Sequence, residues 1–252
     1  MNATPIQHIL FDLGGTLMHG RGDWVPIFEH ADQALTNKLL ENHIKLKAKI
    51  FRTRLHEYYA QRDKDFRETT YHFVLRELLK ELGYAEVAES IIRSALDAMF
   101  SVTQTNWILE DDTVAALRDL KSNDYHLGIF SNAGDDKDVQ KLIENFGIRS
   151  YFDFVLTSAA CYYRKPHARA FEIALAQWSI PPEDAAMVGD SLEADIFGAN
   201  NLGMQAIWIT RRAQFSADEE LRIQPDFSLS DLNGLFPTLS RSISRAPKNR
   251  HV

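Results

Sequence analysis

Apolar positions along the chain follow two rhythms. Short unbroken runs occur at Ile9–Leu10–Phe11, Leu127–Gly128–Ile129–Phe130, Phe154–Val155–Leu156, Ala186–Met187–Val188 and Ala206–Ile207–Trp208–Ile209. Several stop abruptly at glycine or a small polar residue, as buried strands of a parallel sheet do. Between the later runs the spacing changes to that of a helix. Val114, Leu117 and Leu120 share one face over 113–121. Val139, Leu142, Ile143 and Phe146 do so over 135–146, before Gly147 at a helix C-cap position. Further helices are predicted over 168–178 and 192–202. Strands alternating with helices predict an α/β fold: a Rossmann-like parallel sheet core covered by helices on both faces.

One block breaks the alternation. From about residue 20 to 105 the periodicity is helical and no strand is evident. Phe73–Val74–Leu75, Leu78–Leu79 and Leu82 form one apolar stripe, and Val87, Ile91–Ile92, Ala95–Leu96 and Met99–Phe100 form another. Leu35, Leu39–Leu40 and then Ile44, Phe51 and Leu55 point to one or two more helices. The chain's 252 residues correspond to roughly 1.7 typical domains. A core over 1–18 and 106–252, interrupted by a helical domain over 19–105, accounts for that fraction.

Composition narrows the function. With 45% hydrophobic and 25% charged residues, the chain is an ordinary globular protein able to bury a core unaided. A net charge of −7 offers no electrostatic footprint for nucleic acid. No apolar stretch approaches a membrane span, and the N-terminus lacks a basic leader. The single cysteine, Cys161, excludes an intrachain disulfide and a cysteine zinc cluster, and suits a reducing cytoplasm. The nine histidines are scattered without ligand spacing. After Asp231 acidic residues cease, while Arg241, Arg245, Lys248 and Arg250 follow in what is expected to be a solvated, frayed end. Oligomeric state is not legible.

In open α/β sheets ligands bind beyond the carboxyl ends of the strands. The polar residues expected there are Asp12, Ser131–Asn132 and Gly189–Asp190, with Lys165–Pro166 opening a later helix. Taken one at a time, Asp12 is also a plausible turn residue and Ser131–Asn132 a helix N-cap, and Lys165 could be a solvated lysine. Together they bring two carboxylates, a lysine and a hydroxyl to one small volume. Adjacent carboxylates require a cation or a proton, and Mg2+ is the oxygen-seeking ion that suits a phosphate-bearing substrate. A carboxylate can itself attack phosphorus and form an aspartyl-phosphate.

The segments ILFDLGGT, IFSNAG, RKP and VGDSLEADIFGANNLG, in that order from Ile9 to Gly203, resemble the four motifs of the haloacid dehalogenase-like hydrolases. The helical block after the first motif resembles their α-helical cap. The resemblance implies that Asp12 is the nucleophile and a magnesium ligand, joined by the carbonyl of Gly14 and by Asp190. Asp195 would orient metal-bound water or reach the metal. Ser131 would bind the phosphoryl group beside backbone donors near Asn132, and Lys165 would neutralise charge between Asp12 and phosphate. Thr16 would brace the first loop beside the phosphate.

One position departs from the family pattern. Family phosphatases usually carry a second aspartate two residues after the nucleophile, as leaving-group acid and then as base; here Gly14 stands there. Such acid–base help is worth about 10²–10⁴ in rate. The expected function is magnesium-dependent hydrolysis of a small-molecule phosphate ester through Asp12. Because of Gly14, phosphonate cleavage, phosphoryl transfer, or a phosphate-binding member without turnover remain alternatives. Phosphonate cleavage would need a cap lysine, for which Lys38, Lys45, Lys47, Lys49 and Lys64 are candidates.

Overall fold

The computed structural model describes residues 6–241; of the expected frayed end, Arg241 is described and exposed, while Arg245, Lys248 and Arg250 lie outside the described residues. Chain order is β1 (His8–Phe11), β2 (Met18–Gly20), then helices α1 (Trp24–Leu40), α2 (Ala48–Asp65), α3 (Tyr71–Glu81) and α4 (Glu89–Gln104). There follow β3 (Trp107–Leu109), α5 (Thr113–Ser122), β4 (His126–Ser131), α6 (Asp136–Asn145), β5 (Phe154–Thr157), α7 (Ser158–Cys161) and α8 (Ala168–Ala176). The chain continues through β6 (Ala185–Gly189), a π-helical turn (Leu192–Phe197), α9 (Gly198–Leu202), β7 (Gln205–Ile209), α10 (Ala217–Arg222), β8 (Phe227–Leu229) and α11 (Leu235–Leu239).

Six strands form one parallel sheet in the order β5–β4–β1–β6–β7–β8. Strand β1 is central. The chain winds outward from it first through β4 and β5, then on the other side through β6, β7 and β8. The crevice between β4, β1 and β6 is therefore the topological switch point, where such sheets bind ligands.

Side chains alternate across the sheet. Ile9, Phe11, Leu127 and Ile129 enter one core with Leu117, Leu120, Val139 and Ile143 of α5 and α6. Leu10, Phe130 and Met187 enter the other with Phe171, Leu175 and Ala199 of α8 and α9. This period-two division of strands buried on both faces is why their sequences read as unbroken apolar runs.

The helical block has an apolar core of its own, including Leu35, Leu39, Phe51, Leu75, Leu79, Ile92 and Leu96. α1 lies along α4, and Asp23 and Thr70 cap α1 and α3 by accepting from Val25 and Phe73 backbone N–H groups. Ile44 stands ahead of α2, so the expected stripe Ile44–Phe51–Leu55 is only partly helical.

Three details differ from the pattern along the chain. β2 and β3 form an antiparallel ribbon that joins the two ends of the helical block, with Met18 opposite Leu109 and Gly20 opposite Trp107. Three residues per strand are too few to display a period, and the expected boundary at 18/19 falls inside this ribbon. The predicted helix over 192–202 opens with a π turn, because Ile196 N–H reaches back five residues to the Ser191 carbonyl at 3.2 Å. Such turns concentrate at functional sites. The cap of α6 is Asp135, whose carboxylate accepts from Asp138 N–H at 3.0 Å, so Ser131 and Asn132 do not serve as its N-cap.

Candidate active site

Asp12 follows the last residue of β1, and its N–H donates to the Val188 carbonyl of β6 at 2.9 Å. The ladder thus holds the carboxylate at the mouth of the switch-point crevice. Lys165 Nζ, on a side chain only 1% exposed, donates to Asp12 Oδ1 and to the Phe130 carbonyl, each at 2.7 Å. It also lies 2.7 Å from Asp195 Oδ1. Lys165 is not a solvated lysine: burial alone would lower its pKa, but Asp12 and Asp195 raise it and keep the ammonium charged. Asn132 fixes its backbone by accepting from Lys165 N–H at 2.8 Å and donating to Lys165 C=O at 3.0 Å.

Two glycines allow the acids to converge. Gly15 has φ +88°, in the left-handed region, and any Cβ there would collide with the Asp190 carboxylate. A Cβ on Gly189 would collide with Asp195 in the same way. Asp195 stands in the π turn, where its Oδ2 accepts from Ser191 N–H at 3.0 Å. Asp190, at the end of β6, has its pKa raised by burial first and then by Asp12 and Asp195. Burial also raises Asp195, with Lys165 opposing.

One oxygen from each of Asp12, Asp190 and Asp195 lies within 4.8 Å of the others, the one such cluster among the described residues. Asp195 Oδ1 is fully buried, with the Lys165 ammonium 2.7 Å away as its counter-charge. An all-oxygen donor set and the mutual repulsion that raises the Asp190 pKa together fit a hard divalent cation.

A cavity of about 440 Å³ brings together Asp12, Gly14, Ser131, Asn132, Lys165, Asp190 and Asp195. Thr16 is the expected site residue that does not reach it. It is fully buried, and its hydroxyl sits 3.5 Å from Asp12 Oδ2, so it braces the nucleophile loop and is not placed to touch phosphate. None of the candidate cap lysines lines the cavity. His19 turns to Glu110, 2.9 Å away.

Three further lining residues carry no role legible along the chain: Trp107 and Asp138 lie outside the four motifs, and Arg164 only opens RKP. Trp107, in β3, covers Gly14: a Cβ there would lie 3.3 Å from the indole Cη2. Asp138, in the first turn of α6, accepts from Gln104 Nε2 at 2.7 Å, and burial pushes its pKa up to about 6. Arg164 donates to Glu68 Oε2 at 2.6 Å, across to the segment between α2 and α3. An acid in a first helical turn looks like a helix-dipole partner, so nothing local distinguishes Asp138 before the fold is known.

Residues 6–203 match the family model for haloacid dehalogenase-like hydrolases. The chain belongs to that family. Among curated haloacid dehalogenase-like proteins, it is 44% identical over 98 residues to the glyceraldehyde 3-phosphate phosphatase of Methanothermobacter thermautotrophicus, covering 39% of this chain and 43% of that one. It is 30% identical over 168 residues to the phosphoserine phosphatase of Thermus thermophilus, covering 65% and 62%. The matches thus span about half the length of these curated relatives. A haloacid dehalogenase-like phosphatase structure from Thermococcus onnurineus superposes with a TM-score of 0.61 at 24% identity, covering 92% of this chain and 97% of that one. A 2-haloacid dehalogenase from Pseudomonas syringae gives 0.66 at 22%, covering 94% and 99%. These structures share the α/β fold. No helix among the described residues is long and apolar enough to cross a membrane.

Proposed function

We propose that this haloacid dehalogenase-like hydrolase is a magnesium-dependent phosphatase of small organic phosphate monoesters, with Asp12 as nucleophile. The observation that carries the proposal is the buried triad of Asp12, Lys165 and Asp195 opening, with Ser131 and Asp190, into one cavity. The phosphatase names of the relatives support the same class.

Asp12, Asp190 and Asp195, with Gly14 beside them, are the residues that would hold Mg2+, which supplies positive charge to the phosphoryl oxygens. Ser131 and backbone N–H groups near Asn132 bind those oxygens. Lys165 holds Asp12 by Oδ1, so the less engaged Oδ2 is the attacking atom. It bonds to phosphorus as the P–O bond to the leaving group breaks, and the departing oxygen keeps the electron pair. Water then attacks the aspartyl-phosphate, its proton passes to solvent, and phosphate leaves with Asp12 restored. Lys165, charged throughout, balances the Asp12 carboxylate in the free enzyme and the phosphoryl charge in the intermediate.

The division of the chain belongs to the same proposal: a catalytic core over 1–18 and 106–252, and a cap over 19–105 that excludes water from the cavity. A cytoplasmic enzyme acting on small molecules is the setting we infer. The test is phosphate release from a panel of monoesters with Mg2+, beside Asp12→Asn. The expected result is turnover that requires Mg2+ and disappears in the variant; turnover that survives Asp12→Asn would overturn the proposal.

A further inference from the structure

Beyond the Asp12 cavity a second chamber of about 490 Å³ opens between the helical block and the sheet. The two share Trp107, Asn132, Ala133, Asp138 and Arg164 as walls, so they adjoin across these residues. One end holds the nucleophile. The other is aromatic.

Trp24 and Phe28 of α1 stand 5.3 Å apart between ring centroids, and Trp107 stands 5.1 Å from Trp24. Across from them Tyr71 and Phe100 meet edge-on at 5.3 Å. Phe28, which lines this chamber, is 38% exposed, and the Arg52 guanidinium, held by Asp32, lies 5.2 Å from its ring centroid. The charges that reach the chamber are engaged inside the protein. Arg164 pairs with Glu68, Asp135 pairs with Arg93 at 2.7 Å, and Asp138 accepts from Gln104. The distal end therefore offers ring faces rather than a counter-charge for a second anion.

Gly14 bears on the same space. The position from which a family acid would protonate the leaving group is covered by the Trp107 indole, itself part of the aromatic wall. An alkoxide leaving without a proton is a poor leaving group, whereas a phenoxide is much more stable and departs unaided. Gly14 leaves no proton donor at this position, and the indole over it adds a stacking surface.

We propose that the chamber is the leaving-group subsite, and that the substrate class is phosphate monoesters of aromatic alcohols, the ring lying against Trp24, Phe28 and Trp107. The inference rests on the Asp12 phosphatase proposal. Asp12 bonds to phosphorus, the P–O bond to the aryl group breaks, and the phenoxide takes its proton from water on release.

The test measures kcat/KM with Mg2+ for phenyl, 2-naphthyl, benzyl and cyclohexylmethyl phosphates. Benzyl and cyclohexylmethyl esters both release alkoxides of similar size, so their ratio isolates recognition of the ring from leaving-group acidity. Benzyl phosphate is expected to lead by about three- to tenfold, and phenyl and naphthyl esters to lead further. Phe28→Leu, at a partly exposed position that should tolerate change, is expected to bring the benzyl-to-cyclohexylmethyl ratio towards one. Product inhibition of the unaltered enzyme by 2-naphthol, compared with decahydro-2-naphthol, interrogates the subsite without any substitution; the aromatic alcohol is expected to inhibit more strongly. Equal kcat/KM for the two alkyl esters, or a ratio unmoved by Phe28→Leu, would overturn the aromatic subsite. Absence of turnover, or turnover surviving Asp12→Asn, overturns the phosphatase proposal and this inference with it. Turnover that depends on Asp12 but has no ring preference defeats the inference alone.

Discussion

The indole of Trp107 covers the backbone of Gly14, where a Cβ would come within 3.3 Å of Cη2 and 3.6 Å of Cζ3. Those contacts are tight but not prohibitive, and Gly14 has no positive φ to forbid a side chain. The missing acid is thus linked to a neighbour contributed from the far end of the helical block, through the β2–β3 ribbon.

Gly14→Asp alone is therefore expected to give little gain with alkyl phosphates, because the new carboxylate must displace the indole. Gly14→Asp combined with Trp107→Leu should raise alkyl over aryl turnover, within the roughly 10²–10⁴ range of acid–base help. A double-mutant cycle on kcat/KM checks this. Additive effects would mean that Trp107 does not obstruct the position.

Asp190→Asn should change stability with opposite signs in two conditions. Without Mg2+ it relieves the repulsion among Asp12, Asp190 and Asp195, so the melting temperature should rise, by about 2–4 °C per kcal/mol gained. With Mg2+ the unaltered protein should gain stability as the ion saturates, about 2.7 kcal/mol at a hundred times Kd. The variant should lose most of that gain. Thermal unfolding across a Mg2+ titration decides both signs.

Lys165→Met leaves buried carboxylates without their counter-charge. Breaking a buried pair from one side costs about 3–5 kcal/mol, so the variant should unfold at lower denaturant and show no turnover. Mg2+ should recover part of the stability but none of the turnover, since Asp12 has lost the group that holds Oδ1.

Asp138 should make stability depend on pH. Its folded pKa, pushed to about 6 by burial, exceeds the usual carboxylate value of 3.8. The folded state therefore favours the protonated form. The resulting stability is fully present below about pH 4 and lost as pH rises through about 6, amounting to at most about 3 kcal/mol. Gln104, Arg93 and Lys141 favour the ionised form, while Asp135 opposes it. Asp138→Asn should flatten the stability profile between pH 4 and 7 and raise stability at pH 8 relative to the unaltered protein; denaturant midpoints at these pH values measure it.

Much was legible along the chain because it depends on local order. Strands buried on both faces must be apolar throughout, so Ile9–Phe11, Leu127–Phe130 and Ala186–Val188 announce a parallel sheet. Helices with one buried face must repeat near 3.6 residues, so α3, α4, α5 and α6 show their stripes. Strand ends in such a sheet converge by topology, which made Asp12, Ser131 and Asp190 candidates before their distances were known. α2 was less clear because its described buried apolar positions are just Phe51 and Leu55, and β2 and β3 are too short to carry a period.

Only the tertiary structure decided how the acids and the chamber are arranged. Residues 153 positions apart, Lys165 and Asp12, meet within 2.7 Å. The backbone at Gly15 and Gly189 lets Asp190 and Asp195 approach, which no spacing in the chain encodes. Trp107, Asp138 and the aromatic wall acquire meaning from the packing of the helical block on the sheet. Periodicity records which face of an element is buried, and burial is repeated at every turn. A site is built from single contacts between distant segments, and a contact made once leaves no period to read.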